Sequence, residues 1–354
     1  MRSIPSHPIK TPATQPRRIG IVGAGLSGLV CARSLAGRGH RVRVFEKSRG
    51  PGGRMSTRHA GALCFDHGAQ YFTTRDARFQ AEVRAWQSVG LVEAWNGRIA
   101  VLDNTKVGWV DPAAERYVGV PGMDALCRNL AADLEVSYGA RVVRLDRRDG
   151  GWRLETDAGA DVGPFDAVVV SAPAPQTAAV LADVAPGLAE RAASVEMAPC
   201  WAVMVRFGQS TELGFDGAFV HDSPLSWIAR NSSKPGRPSD ESWVLHGSPE
   251  WSAEHLELDS EIAAHRLTDA FRRAVGRDLP APDHLVAHRW RFALPVRPLP
   301  EPCLVDPELA LAACGDWAGG PRVEGAFLSG CATAARLLGL WPGAEQAAVV
   351  DGAD

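Results

Sequence analysis

Six residues, Gly23-Ala24-Gly25-Leu26-Ser27-Gly28, have the spacing with which a polypeptide backbone cradles a pyrophosphate. Gly23 permits the tight turn, Gly25 lets the backbone approach the phosphates, and Gly28 lets the following helix pack close on the strand. The helix start offers free N–H groups and the positive end of its dipole to the anion. Glu46 closes the next strand-like run, where a carboxylate accepts hydrogen bonds from ribose hydroxyls and repels a 2′-phosphate. A bare glycine turn without a ligand is the alternative, and the position between a strand and a helix speaks against it.

A second set follows directly: Lys47-Ser48-Arg49-Gly50-Pro51-Gly52-Gly53-Arg54-Met55. The Gly-Gly-Arg supplies backbone donors and a guanidinium near the flavin-side phosphates, which plain NAD domains rarely carry. A third lies far along the chain, in Cys314-Gly315-Asp316-Trp317 and Arg322-Val323-Glu324-Gly325-Ala326. The Gly-Asp at a strand end places a carboxylate at the ribityl or phosphate region. The helix beginning at Val323 to Ala326 aims its dipole at a flavin pyrimidine ring. The three sets together point to FAD. The expected cofactor-binding residues are Gly23, Gly25, Leu26, Ser27, Gly28, Glu46, Lys47, Gly53, Arg54, Met55, Gly315, Asp316, Arg322, Val323 and Ala326 from these sets, together with Val143.

These residues need elements to position them. Residues 18–25 read as a strand ending in the glycine turn, 26–37 as a helix and 41–46 as a second strand, a βαβ unit with a right-handed crossover. Residues 139–146 and 151–157 flank Asp149-Gly150-Gly151, a hairpin signal. Asp166-Ala167-Val168-Val169-Val170 and residues 309–315 read as buried strands, and 325–340 as a helix. The fold class is α/β, a Rossmann-type FAD-binding domain with an inserted α+β substrate domain. The FAD-binding domain takes residues 17–61, 136–175 and 301–340. The substrate domain takes 62–135 and 176–300, where most tryptophans and most strand-like alternation lie. Residues 1–16 and 341–354 are tails, the first with four prolines and expected to be disordered.

Composition narrows the function classes. The 354 residues suffice for two domains, and the net charge of −3 without a Lys/Arg block argues against nucleic acid. No run reaches the ~18 apolar residues of a membrane span. The seven cysteines are odd in number and lack CxxC spacing, and the ten histidines form no HExxH pattern. Reduced thiols, a cytoplasmic protein and no metal are expected.

Three stretches carry candidates for substrate chemistry. Asn231 can donate to and accept from a carboxamide, or serve an Asx turn. His246 shares a strand face with Val244 and is either functional or structural. His288, Trp290 and Phe292 share one face that suits a flat ring stacked on flavin, and also suits core packing.

The sequence resembles the flavin amine oxidase superfamily, and within it the renalase group, especially the bacterial one. The resemblance rests on Lys47 to Ser56, Gly68-Ala69-Gln70-Tyr71-Phe72-Thr73, Gly119-Val120-Pro121-Gly122-Met123, Trp227 to Pro235, Trp243-Val244-Leu245-His246, His288-Arg289-Trp290 and Arg322 to Ala326. It covers roughly residues 18 to 340. It implies a fold like p-hydroxybenzoate hydroxylase and a non-covalent FAD. It also implies oxidation of the 2- and 6-dihydro isomers of NAD(P), with O₂ as acceptor and H₂O₂ as product. Asn231, His246 and Trp290 then become the catalytic candidates, and Gln70, Tyr71, Arg230 and His288 the substrate-binding ones. His67 departs from the small apolar residue of related chains and is expected to make the pocket entry more polar. An amine oxidase, a redox-inert FAD protein and a redox-neutral isomerase or desaturase are the rival readings.

Overall fold

The computed structural model describes residues 15–103, 106–110 and 115–341. Residues 1–14 and 342–354, most of the two expected tails, lie outside the described residues. The βαβ unit is present as strand β1 (Arg18–Val22), helix α1 (Leu26–Ala36) and strand β2 (Arg41–Glu46). Ile19, Ile21 and Val44 are fully buried, as a strand covered on both faces requires.

β1 and β2 belong to a six-stranded sheet in the order Leu304–Asp306, Leu311–Ala313, Ala167–Val170, β1, β2, Glu135–Tyr138. All neighbours are parallel except the outermost pair, Leu304–Asp306 with Leu311–Ala313. The carboxyl ends of β1 and β2 carry the glycine loop and Glu46, so a ligand crevice opens there. Helix Arg322–Gly339 packs beside α1. The expected hairpin forms as Val142–Arg148 and Gly151–Thr156, antiparallel, with Asp161–Phe165 as third strand.

A seven-stranded sheet faces the crevice from the other side. Its order is Pro282–Pro295, Met197–Phe207, Ser242–Gly247, Leu225–Arg230, Gly217–His221, Ile99–Asp103, Lys106–Trp109. Between the two sheets lies a short hairpin, β3 (Thr57–Ala60) with β4 (Leu63–Asp66). Helix Ser260–Val275 covers the sheet's far face through Leu267 and Phe271.

The inserted segments do not divide at the expected boundaries. Helices Ala174–Leu181 and Pro186–Ala193 fall in the stretch assigned to the substrate domain. Yet Leu181, Ala189 and Ala192 share a core with Phe45, Val168 and Val170 of the six-stranded sheet. Helix Ala125–Ala131 likewise packs Leu126 and Cys127 into the core around α1. Small apolar residues let these helices lie flat on the cofactor lobe, where a two-segment insertion would place them on the other sheet.

Candidate active site

A continuous cavity of about 2200 Å³ runs between the two sheets. One end is built by the glycine motif. Gly23 has φ +104°, and a Cβ there would sit 2.2 Å from the Ser171 carbonyl oxygen, so only glycine fits this turn. A Cβ on Gly28 would lie 2.3 Å from the Gly23 oxygen, which keeps α1 tight against the loop. Gly28 accordingly packs behind the cavity wall, while Gly23, Gly25, Leu26 and Ser27 line it. At Gly25 an added Cβ meets nothing within 4 Å, because it points into the cavity. Gly25 caps α1 without a side-chain hydrogen bond, which leaves backbone donors of the first turn for a ligand.

Glu46 is buried and accepts from the Ala24 N–H and the Ser48 N–H, both at 2.8 Å. It thereby ties the end of β2 to the glycine loop while still lining the cavity. The Gly52 N–H donates to the Ala24 oxygen at 2.9 Å, so the second glycine loop is strapped across the first. Lys47, Gly53, Met55 and Val143 border the same space. Across from them, Arg54 and Asp316 meet in a two-bonded ion pair at 2.6 and 2.9 Å, and Arg54 also donates to the Ala293 oxygen at 3.1 Å. Gly315 stands beside Asp316, and Arg322, Val323 and Ala326 present the first turns of the helix Arg322–Gly339 to the cavity. The Glu324 carboxylate is spent on the backbone N–H groups of Arg75 and Asp76, at 2.8 and 2.6 Å. The open space at Gly25, the uncapped helix start and the buried ribose-side acid all fit FAD.

The other end is one rung of the seven-stranded sheet. His288 pairs with Ala202, Ala202 with His246, His246 with Trp227, and Trp227 with Phe219. Residues opposite each other on neighbouring strands share a face, so His288, His246, Trp227 and Phe219 form a row, all lining the cavity. Trp290 lies two residues beyond His288 on the same strand. Tyr71 joins from the loop after β4, its ring centroid 5.5 Å from that of Trp227.

His67 sits at the heart of this row. Its ring stacks on Trp290 at 5.0 Å and meets His288 edge-on at 4.9 Å. Its carbonyl accepts from Trp290 Nε1 at 2.9 Å and lies 3.3 Å from His246 Nε2. A carbonyl only accepts, so the proton of neutral His246 is on Nε2. Burial, helped by His288 and Arg58, pushes His67 down to about 3. Burial likewise lowers His246 and His288 to about 4. All three imidazoles are neutral at pH 7. His67, expected at the pocket entry, lines the cavity with 6% exposure and clamps the end of β4 to the sheet.

Two further expectations are corrected. Asn231 is fully buried and does not line the cavity. Its Nδ2 donates to the Cys64 oxygen at 2.9 Å and its Oδ1 accepts from the Asp66 N–H at 3.2 Å. The strand ends at Arg230, and the 3₁₀ turn that follows points the amide at the β4 backbone. Arg230 also lies off the cavity and is consumed by an ion pair with Asp216. Gln70 does line the cavity, but its amide is engaged, donating to the Asp66 and Gly68 oxygens and accepting from Lys234 Nζ at 3.1 Å.

The buried polar cluster behind the wall had no sequence signal of its own. Asp66, fully buried, accepts from Arg237 Nη2 at 2.7 Å and Lys234 Nζ at 3.3 Å. Burial would raise the Asp66 carboxyl, but the two cations outweigh it and hold it at about 2. Burial lowers Lys234 to about 8 against the opposing pull of Asp66. A lysine and an arginine three apart in a Pro/Gly turn read as surface residues unless their carboxylate partner is known.

Fold and site together define an FAD-binding oxidoreductase with an α/β dinucleotide lobe facing a largely antiparallel sheet. The model of NAD(P)-binding Rossmann-like domains matches residues 21–85, and that of flavin containing amine oxidoreductases matches residues 100–338. The chain belongs to the flavin containing amine oxidoreductase family. Among curated relatives, it is 28% identical over 202 residues to the bifunctional tRNA 5-methylaminomethyl-2-thiouridine biosynthesis protein MnmC of Magnetococcus marinus, covering 44% of this chain and 29% of the relative. It is 57% identical over 44 residues to an L-amino-acid oxidase of Daboia russelii, 12% of this chain and 9% of the relative. The matches thus span less than a third of the length of those relatives. Among solved structures, cyclohexylamine oxidase from Brevibacterium oxydans matches with TM-score 0.72 at 13% identity, over 91% of this chain and 99% of that one. A putrescine oxidase variant matches with TM-score 0.70 at 14% identity, over 92% and 99%. At such identities the likeness is one of fold.

Proposed function

We propose that this enzyme oxidises the 2- and 6-dihydro isomers of NAD(P)H to NAD(P)⁺. In the balanced reaction the dihydropyridine loses a hydride, and that hydride, one proton and O₂ become H₂O₂. Bound FAD supplies the hydride acceptor and the route to dioxygen. Gly23, Gly25, Glu46 and the helix starting at Arg322 would hold it.

The observation that supports this reading is the rung of His288, His246, Trp227 and Phe219 capped by His67 and Trp290. It is flat, aromatic and uncharged at neutral pH, a surface for stacking a planar ring and excluding water. Losing a hydride makes the pyridine aromatic, so no base is needed, and the side chains have only to hold the ring near ~3–3.5 Å from the acceptor. The acids among the lining residues, Glu46, Asp124, Asp316 and Glu324, are all committed to protein partners. None is left to meet a substrate ammonium.

Amine oxidation is the second reading. The aromatic group Tyr71, Trp227 and Phe219 could enclose an uncharged amine, and family membership favours it. Anaerobic mixing of the flavin-loaded protein with borohydride-made dihydronicotinamide isomers, ordinary NADH and a panel of primary amines separates the two. Fast flavin bleaching by the 2- and 6-dihydro isomers and slow bleaching by NADH and amines is expected. Amines bleaching as fast as the isomers would overturn the proposal.

A further inference from the structure

We propose that Arg58 recognises a phosphate of the substrate at the open end of the histidine–tryptophan cluster. The inference rests on the dihydronicotinamide nucleotide reading and names the residue that would read its charged portion. Arg58 lies on β3 opposite Phe65, and its neighbour Thr57 lies opposite Asp66, so His67 leaves the hairpin two residues beyond the one that faces Arg58. Phe65 is fully buried and stacks on His284, ring centroids 5.4 Å apart and nearly coplanar at 13°. His284 and His288 are four residues apart on one long strand and share a face. Residues opposed across β3 and β4 also share a face, so Arg58 extends toward this strand and lines the cavity. Its charge is felt by both His67 and His288, which it makes harder to protonate.

Other arginines bordering this part of the cavity are held in ion pairs. Arg128 is paired with Asp124, and Arg289 and Arg291 with Glu257. Arg58 is solvent-exposed and has no carboxylate partner among the described residues. A guanidinium with no carboxylate beside the neutral imidazoles of His67 and His288 adds positive charge to this end of the cavity. Its fork of donors matches phosphate oxygens. A nicotinamide nucleotide carries its first phosphate one ribose away from the ring, so a ring stacked on the cluster presents that phosphate to the cavity mouth.

The test uses FAD-loaded protein and titration calorimetry with NAD⁺, ADP-ribose and nicotinamide riboside, the last lacking phosphate. A charge-assisted hydrogen bond is worth enough that Arg58→Gln should weaken NAD⁺ and ADP-ribose by about 10- to 100-fold. Arg58→Lys should weaken them less, and nicotinamide riboside should bind as before. Equal loss for all three ligands, no loss for any, or failure of the unaltered protein to bind NAD⁺ and ADP-ribose would overturn the proposal. Loss of bound flavin in Arg58→Gln would overturn it too, by assigning Arg58 to the cofactor. Flavin reduction by dihydro isomers of nicotinamide riboside tests the parent reading separately, because those substrates carry no phosphate for Arg58.

Discussion

Replacing Gly25 by Val and Gly28 by Ala should separate cofactor binding from folding, although the two glycines are three residues apart in one motif. Gly25 has φ −77° and ψ 173°, a conformation open to valine, and its added side chain enters empty space. The fold loses only the advantage of glycine over valine at a helix N-cap, about 1 kcal/mol. The methyls occupy the space that the phosphates need. Losing two charge-assisted backbone hydrogen bonds at ~1.5–3 kcal/mol each weakens FAD by at least about 100-fold. Gly28→Ala behaves in the opposite way. Its Cβ would come within 2.3 Å of a backbone oxygen and 3.0 Å of Ser171 Cβ. Relief requires shifting α1 from the loop, at a cost of about 1–3 kcal/mol. Thermal melts of the deflavinated proteins and FAD titrations measure the two effects independently. Stoichiometric flavin with an unchanged visible spectrum in Gly25→Val would place the phosphate site elsewhere. An unchanged apo melting temperature in Gly28→Ala would refute the packing argument.

Three other outcomes follow from the site. FAD should leave the polypeptide on acid or heat denaturation, since burial raises the cavity-lining Cys314 thiol and keeps it from acting as a thiolate nucleophile; flavin retained on the washed precipitate would contradict this. Stability should fall as pH drops from about 6.5 toward 4, because the unfolded histidines take up protons there while folded His67, His246 and His288, lowered to about 3, 4 and 4, do so only at lower pH. Each site contributes at most about 1.4 kcal/mol per pH unit, and urea melts of His246→Phe should show a shallower slope; an identical slope would be a refutation. Asn231→Ala should destabilise by about 1–3 kcal/mol through the orphaned Cys64 oxygen and Asp66 N–H, whereas His246→Ala should slow flavin reduction with the bound-flavin spectrum nearly intact. Unfolding curves and stopped-flow traces of the pair decide it.

The cofactor end was legible because its signals are local. A turn that tolerates only glycine, an acid at a strand end and an uncapped helix start are each written within a few neighbouring residues, as at Gly23, Glu46 and Arg322. The substrate end depends on register between strands far apart in sequence. Alternation marked His246 and His288 as facing one side of their own strands. That Ala202 stands between them, and that Trp227 and Phe219 continue the row, follows only from pairings among residues 202, 219, 227, 246 and 288. Asn231 shows the limit most clearly. Its type suits a carboxamide, but the same donor and acceptor serve the backbone of β4 equally well, and only tertiary placement chooses. His67 was noticed as out of pattern, yet its partners Trp290 and His288 are more than two hundred residues away.

The cofactor cradle has an order of assembly written into it. The glycine loop and Glu46 are made early, but the strand beside β1 comes from residues 167–170, and the opposing helix begins only at Arg322. Roughly 300 residues separate Gly25 from that helix. At synthesis rates of about 5–20 residues per second, the half-cradle waits some 15–60 seconds for its closing wall. Until residues 167–170 emerge β1 exposes an apolar edge, and until the helix emerges the phosphates would meet loop donors without it. A complete cradle therefore exists only after residue 322 has been made, and FAD bridging the two ends of this path would stabilise chains that have reached full registry.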